Sequence, residues 1–135
     1  MKLGMIMLLV PDLREAKRFY CEVLGFDISS ETHDRLTFSG AGCEMVAFRC
    51  EKAGEIGDYA NEGRSVLVFS VQSIEETIRD LKAKGVIFLH STPAENEIGR
   101  YAAFVDPFGI VHEIMEKRSP DILLPESGCP APHLP

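Results

Sequence analysis

The sequence predicts an α+β domain built from two consecutive βαβββ halves. In each half an apolar stretch leads into a capping box, Asp12 with Glu15 and Ser73 with Glu76, which predicts the start of an amphipathic helix. Stretches with strand character follow each helix, and the pattern returns after about 60 residues. Because a single βαβββ half leaves a large apolar face uncovered, we expect the two halves to pack side by side.

The first half opens with the apolar stretch 3–10, which predicts a strand that is buried on both faces. Alternation along this strand places Met5, Met7 and Leu9 on one face. The helix predicted over 12–24 carries an apolar stripe at helical spacing and ends at a glycine. Three strands and a polar, glycine-rich linker complete this half, at 26–30, 35–39, 44–48 and 51–63.

The second half repeats this order. Alternation along its first strand places Val66, Val68 and Ser70 on one face. Its helix ends at Gly85, as the helix of the first half ends at Gly25. The predicted segments are a strand at 66–71, a helix at 73–84, strands at 86–90 and 99–105 around a loop at 91–98, and a last strand at 110–115.

The turn before the last strand is the motif D-P-F-G at 106–109, whose proline and glycine positions suit a type I turn. In the strand that follows, alternation places Glu113 in an apolar row with Val111 and Met115, and His112 on the opposite face. Glu113 belongs either to an edge strand that faces water or to the lining of a cavity. For His112 we predict packing or a hydrogen bond on the helix side of the sheet.

Composition places the chain among soluble globular proteins, with 45% hydrophobic and 26% charged residues. The net charge of -7 disfavours nucleic acid and anionic membranes as partners, because both attract basic surfaces. The four cysteines lack the spacing of a zinc site, which favours reduced thiols. The apolar N-terminal run predicts a strand rather than a signal peptide. We therefore predict a cytoplasmic protein with no nucleic-acid or membrane partner.

Residues 119–135 differ from the rest of the chain, since five of the eight prolines fall among them. This composition predicts a flexible tail. The length of 135 residues fits one domain. We therefore predict a domain over 1–118, with modules at 3–58 and 64–117, followed by a proline-rich tail at 119–135.

Two groups of motifs carry a family resemblance: VPDLREAKRFYCEVLGF at 10–26 and FVDPFGIVHEI at 104–114. At this spacing they resemble the vicinal oxygen chelate superfamily, the group of glyoxalase I, bleomycin-resistance proteins and extradiol dioxygenases. The resemblance covers residues 3 to about 117 and implies two tandem βαβββ modules that form a U-shaped mixed sheet around a central cavity. It also implies a homodimer, and we expect the tail to lie on the partner chain or in a groove.

The resemblance also implies where a metal ion would bind. Metal-dependent members place a histidine in the first strand of each module and a carboxylate in each last strand. Met5 and Val66 stand at the two histidine positions, Glu113 is one carboxylate, and the other position falls at Glu44 or closer to Val46. Since thioethers bind hard divalent ions poorly, we predict no stoichiometric transition metal and no cofactor. The remaining sources of ligands are His90, Cys43, Cys50 or a partner chain.

We predict that this protein binds a small, partly apolar molecule between its modules, as bleomycin-resistance-type members do. The alternatives are a divalent-metal-dependent lyase or isomerase of the glyoxalase type, which would use Glu113 and Glu44, and a dimeric scaffold with a closed core. Glu113 is the predicted catalytic residue. The predicted substrate-binding residues are Met5, Met7, Leu9, Glu44, Phe48, Arg64, Val66, Val68, Arg100 and Tyr101. The possible charge partners of Glu113 are Arg35, Arg49, Arg64 and Arg100.

Overall fold

The computed structural model describes residues 1–118, so the predicted tail at 119–135 lies outside the described residues. The first half consists of β1 (Ile6–Val10), α1 (Leu13–Lys17), a π-helical segment (Arg18–Val23), β2 (Asp27–Glu31), β3 (Arg35–Ser39) and β4 (Met45–Arg49). The second half consists of β5 (Leu67–Ser70), α2 (Ile74–Ala83), β6 (Ile87–Phe88), β7 (Ala94–Glu95), β8 (Gly99–Val105) and β9 (Val111–Lys117). Neither α-helix in residues 1–118 is long and apolar enough to cross a membrane.

The strands form two mixed sheets with the same order. The first sheet runs β1-β4-β3-β2 and the second runs β5-β9-β8-β6, with β7 paired to β8. In both sheets the first and last strands of the half are parallel neighbours, and the other pairs are antiparallel. The predicted α+β class is therefore confirmed. Superposition of modules 3–58 and 64–117 about a twofold axis stays a prediction.

Both predicted N-caps are present, but each capping box is formed on one side only. The Asp12 carboxylate accepts a hydrogen bond from the Glu15 N–H at 3.1 Å, and the Ser73 hydroxyl accepts one from the Glu76 N–H at 3.2 Å. The Glu15 carboxylate binds Arg18 at 2.6 Å rather than the backbone of the cap. Each cap still satisfies one of the N–H groups that a helix start leaves unpaired.

The first helix changes from α to π geometry at Arg18. The wider turn is visible in the hydrogen bond from the Leu24 N–H to the Phe19 carbonyl, which spans five residues at 2.9 Å. Gly25 follows with φ of 90°, the left-handed conformation that glycine adopts at low cost after a helix. The wide turn carries Tyr20, whose side chain is fully buried between the two halves.

A buried hydrogen-bonded group joins the halves at Tyr20. The Tyr20 hydroxyl lies 2.7 Å from the Asp106 carboxylate and 2.7 Å from Nε2 of His112. Since the hydroxyl has one proton to donate to the carboxylate, Nε2–H of His112 donates to the tyrosine oxygen. Burial lowers the pKa of His112 to about 4 and raises the pKa of both Tyr20 and Asp106. His112 therefore makes the helix-side hydrogen bond that alternation allowed.

The D-P-F-G turn at 106–109 is closed by an i to i+3 hydrogen bond, from the Gly109 N–H to the Asp106 carbonyl at 3.1 Å. The Asp106 carboxylate also accepts hydrogen bonds from the N–H groups of Phe108 and Ile110, at 2.9 and 2.8 Å. The same carboxylate thus holds the turn and the buried tyrosine, which fixes the start of β9 relative to the first helix.

The prediction that β1 is buried on both faces is wrong for the single chain. Leu8 and Val10 are buried, whereas Met7 and Leu9 are each 53% exposed. The physical reason is that β1 is an edge strand, so Met7 and Leu9 have a neighbouring strand on one side only, whereas Val46, next to Met7 on β4, is buried. Alternation along β1 is therefore correct, but the side chains of its second face stay partly exposed at this edge of the sheet.

Candidate functional site

Glu113 lies on the face of the second sheet that is turned away from α2, here called the outer face of the second sheet. Its neighbours across the sheet are Val68 of β5 and Ala103 of β8. Met115 follows two residues later on the same face and is buried. Glu113 itself is half-buried, so its carboxylate sits in an apolar surface while keeping access to solvent.

The hydrogen-bond partner of Glu113 is Tyr59. The tyrosine hydroxyl donates to Oε2 of Glu113 at 2.7 Å. Burial and this hydrogen bond raise the pKa of Tyr59, so its hydroxyl stays protonated and acts as the donor. Tyr59 belongs to the predicted linker at 51–63, and sequence reasoning missed it. An aromatic side chain in an otherwise polar segment was the available signal.

The linker reaches this position because it packs on the turn that precedes β9. A Cβ atom added at Gly109 would lie 3.3 Å from Cγ1 of Ile56. Glycine at this position therefore lets the linker approach the turn closely, and Gly109 also has φ of 88°. Ile56 precedes Tyr59 by three residues, so this contact positions Tyr59 over the outer face of the second sheet.

Two further rings complete the site. The ring of His90 lies edge-to-face with Tyr59 at a centroid distance of 6.3 Å and with Tyr101 at 5.6 Å. Nδ1 of His90 accepts a hydrogen bond from the Ala103 N–H at 2.8 Å, so this nitrogen carries no proton. We call the group of Tyr59, His90, Tyr101 and Glu113 the Glu113 cluster.

The predicted arginine partners do not reach Glu113. Arg100 lies on the opposite face of the second sheet, where its guanidinium pairs with Glu75 and lies 3.9 Å from Glu116. Arg64 pairs with Glu62 at 3.1 Å. Within residues 1–118, no lysine or arginine forms an ion pair with Glu113, and Arg35 and Arg49 form none at all. The hydrogen-bond partner of Glu113 is therefore a tyrosine hydroxyl and none of the four possible arginine partners.

The first-half residues of the predicted site lie on the other sheet. Met7 and Leu9 pair in register with Val46 and Phe48, so all four lie on the same face of the first sheet. This face, opposite Leu8 and Val10, is called the outer face of the first sheet. Glu44 is exposed and comes just before β4, where its carbonyl accepts the Ile6 N–H at 2.9 Å. The described chain does not join these residues and the Glu113 cluster in one sheet.

A cavity of about 500 Å³ lies between the two halves, along the free edge of β5. Val68 and Ser70 from one face of β5 line it together with Phe69 and Val71 from the other face. Its walls also include Leu24, Phe26 and residues 40–42 from the first half, Thr77 and Leu81 from α2, and Phe104 and Ile114 from the α2 side of the second sheet. Val68 also lines an adjoining cavity of about 410 Å³, together with Val66, and Arg64 lines a third cavity of about 220 Å³.

The donor set does not fit a transition-metal centre. No three His, Cys, Asp or Glu side chains in the described part of the chain come together as a possible metal site. Glu113 has a protonated tyrosine hydroxyl as its partner, and Glu44 lies by the other sheet. The thiols of Cys43 and Cys50 contact backbone carbonyls near them in sequence, at 3.7 and 3.4 Å. We therefore derive no step through a bound metal.

Comparison with solved structures places the fold among known ones. A glyoxalase family protein from Enterococcus faecalis has a TM-score of 0.71 and 24% identity, over 85% of this chain and 97% of that chain. The fosfomycin resistance protein FosX from Listeria monocytogenes has a TM-score of 0.71 and 21% identity, over 87% and 94%. An antibiotic binding protein from Streptomyces sp. has a TM-score of 0.64 and 20% identity, over 87% and 97%. At these identities the likeness shows the fold.

The sequence itself matches a family model. No curated protein matches the chain. The model described as Glyoxalase/Bleomycin resistance protein/Dioxygenase superfamily matches residues 2–114, which is most of the chain. This match over most of the chain shows that the chain belongs to the glyoxalase/bleomycin resistance protein/dioxygenase superfamily.

Proposed function

We propose that this protein binds a small, partly apolar organic molecule between its two halves, with Glu113 as the polar anchor. The observation that carries the proposal is the position of Val68. This residue lines the cavity of about 500 Å³ and is also the neighbour of Glu113 across the sheet. The cavity also touches Phe104 and Ile114 on the α2 side of the sheet, so a molecule in it reaches the Glu113 carboxylate by passing around the free edge of β5 at Val68.

The size and lining of the cavity support a small organic molecule. Ligand sites of about 300–1,000 Å³ with mostly apolar walls and a few polar groups are typical of proteins. Here the walls are mainly Leu, Phe and Val side chains, and Ser70 and Thr77 supply polar groups. The Glu113 cluster lies outside the cavity walls, beyond Val68. The names of two structural neighbours, a fosfomycin resistance protein and an antibiotic binding protein, support the same class of partner.

We also propose that the protein is a cytoplasmic homodimer with no nucleic-acid or membrane partner. Met5, Met7 and Leu9 are 47%, 53% and 53% exposed on one face of an edge strand, and a second copy would cover them. The net charge of -7 supports the absence of polyanionic partners.

The binding proposal is tested by blocking the cavity. Ser70 is exposed and lines the cavity, so Ser70→Phe places a ring in the space that the ligand would use. Ser30→Phe is the matched control, because Ser30 is an exposed serine on edge strand β2, outside the cavity walls described above. A thermal-shift screen of small organic molecules first identifies a binder of the unmodified protein.

Calorimetry of that binder then compares the variants. We expect Ser70→Phe to weaken binding at least tenfold and Ser30→Phe to leave it unchanged. Equal affinity of Ser70→Phe and the unmodified protein, with both folded, would show that the cavity is not the binding site.

A further inference from the structure

We propose that the molecule bound by this protein carries a positively charged amino group, which binds at the Glu113 cluster. The inference rests on the proposed function, because it assigns the chemical class of the ligand for the same site. It is carried by the geometry of Tyr59, His90, Tyr101 and Glu113, described above.

The first argument concerns unbalanced charge. Glu113 is half-buried among Val68, Ala103 and Met115, yet it forms no ion pair with any lysine or arginine of residues 1–118. A carboxylate in an apolar surface is stabilised by a cation. Arg64 and Arg100 pair with other carboxylates, so a cation that balances Glu113 would come from a bound molecule.

The second argument concerns hydrogen bonding. The hydroxyl of Tyr59 uses one carboxylate oxygen of Glu113, Oε2. Oε1 takes part in no hydrogen bond with the described residues. An ammonium group is a donor without any acceptor, so it can bind Oε1 while Tyr59 keeps its hydrogen bond to Oε2.

The third argument concerns the rings. The electron-rich faces of tyrosine rings attract organic cations, and groups of aromatic rings around a cation are a common way to bind amines. Tyr59 and Tyr101 both stand edge-to-face against His90, at 6.3 and 5.6 Å. Nδ1 of His90 accepts the Ala103 N–H, and within residues 1–118 His90 forms no ion pair with Glu113, so it does not compete with a cation there.

The experiment titrates the full chain with three probes that share one phenyl group: 2-phenylethylamine, 2-phenylethanol and phenylacetate. Backbone amide shifts in ¹H–¹⁵N NMR spectra give both the dissociation constant and the location of binding. We expect the amine to bind at least tenfold more tightly than the alcohol, with shifts at Val68, Ala103 and Glu113, and the anion to bind more weakly than the alcohol.

Two variants test whether Glu113 causes the preference for the amine over the alcohol. Glu113→Gln keeps the shape of the side chain and the acceptor for Tyr59, and we expect it to abolish the preference for the amine while the alcohol binds as before. Glu97→Gln removes the same charge from an exposed position in the loop before β8, and we expect it to change nothing.

The outcomes separate this inference from the proposed function. Equal binding of the amine and the alcohol at this face would overturn the inference and leave the proposed function standing. A preference for the amine that survives in Glu113→Gln would also overturn it, as would zinc or manganese chloride displacing the amine from the cluster at one equivalent. Absence of binding by all three probes, together with an empty thermal-shift screen, would count against both.

Discussion

Glu113 is placed by alternation and partnered by a residue far from it in sequence. The strand pattern predicts which face Glu113 occupies, and the register with Val68 and Ala103 agrees with that prediction. The pattern does not identify Tyr59, because the contact spans 54 residues and depends on how the linker crosses the sheet. Periodicity alone therefore could not identify Tyr59 as the hydrogen-bond partner of Glu113.

The hydrogen bond between Tyr59 and Glu113 is testable by removing one hydroxyl group. Tyr59→Phe leaves the ring in place and deletes the donor, so we expect a loss of about 0.5–1.5 kcal/mol in the free energy of unfolding. Tyr101→Phe is the control, because the Tyr101 hydroxyl makes no hydrogen bond within residues 1–118. Urea denaturation measures both, and equal losses in the two variants would contradict the assigned bond.

The neutral His112 makes stability depend on pH. Burial lowers its pKa to about 4 in the folded state, below the ordinary value of about 6.5 in the unfolded chain. Between these values the unfolded state binds more protons, so the contribution is complete above pH ~6.5 and is lost as the pH falls toward 4. The resulting loss in the free energy of unfolding is at most about 3 kcal/mol. The raised pKa of Asp106 acts in the opposite direction at the acidic end.

The comparison of two histidine variants isolates this effect. His112→Gln keeps a donor toward Tyr20 and cannot titrate, so we expect a flatter dependence of unfolding free energy on pH between 4 and about 6.5. His33→Gln changes an exposed histidine and should follow the unmodified protein. A slope in His112→Gln as steep as that of the unmodified protein would show that His112 is not the titrating group.

Among the elements, the turn at 106–109 links the fold to the site. Gly109 has φ of 88°, and its missing side chain makes room for Ile56, which precedes Tyr59 in the linker. Gly85 has nearly the same φ of 91°, but an added Cβ would meet nothing within 4 Å. Both glycines therefore adopt a positive φ, but only Gly109 also makes room for the side chain of Ile56.

That difference gives a prediction for alanine variants. Gly85→Ala and Gly109→Ala should each lose about 1 kcal/mol of unfolding free energy from the unfavourable φ. Only Gly109→Ala should also shift the NMR signals of Tyr59 and Glu113, because it displaces Ile56. Unchanged signals at Tyr59 in Gly109→Ala would mean that the linker is not held by this contact.

The elements that the sequence pattern predicts well are those with local causes. Both helix starts follow from the caps at Asp12 and Ser73, and the strands at 35–39 and 99–105 have the predicted bounds. The change to π geometry at Arg18 and the two-residue strand β7 were not predicted. Both coincide with contacts that periodicity does not contain: the π segment carries Tyr20 with its buried hydrogen bonds, and β7 is defined by its pairing with β8.

At the scale of the whole molecule, apolar side chains on the outer faces of both sheets are exposed at the edge strands β1 and β5. Met7 and Leu9 on the first sheet and Val68 on the second are 53%, 53% and 47% exposed. Which residues share a face follows from alternation, but what covers a face is set by neighbours that a sequence pattern does not contain. The same limit explains why the residues predicted for one site fall on two sheets.

Native mass spectrometry of freshly purified protein tests the assembly and the metal content together. We expect the mass of two chains, since a second copy would bury the exposed methionines, and no stoichiometric transition metal, since the donor set around Glu113 is one carboxylate with neutral partners. A single-chain mass at micromolar concentration would refute the dimer. About one equivalent of zinc, nickel, iron or manganese per chain would revive the lyase alternative.

The most direct test of the central claim is to map the binding site of the strongest hit from the thermal-shift screen by ¹H–¹⁵N NMR. The account predicts amide shifts at Ser70 and Val71 in the cavity and at Glu113 on the outer face, joined through Val68, and it predicts that they disappear in Ser70→Phe. Shifts confined to residues outside the cavity and the Glu113 cluster would contradict it.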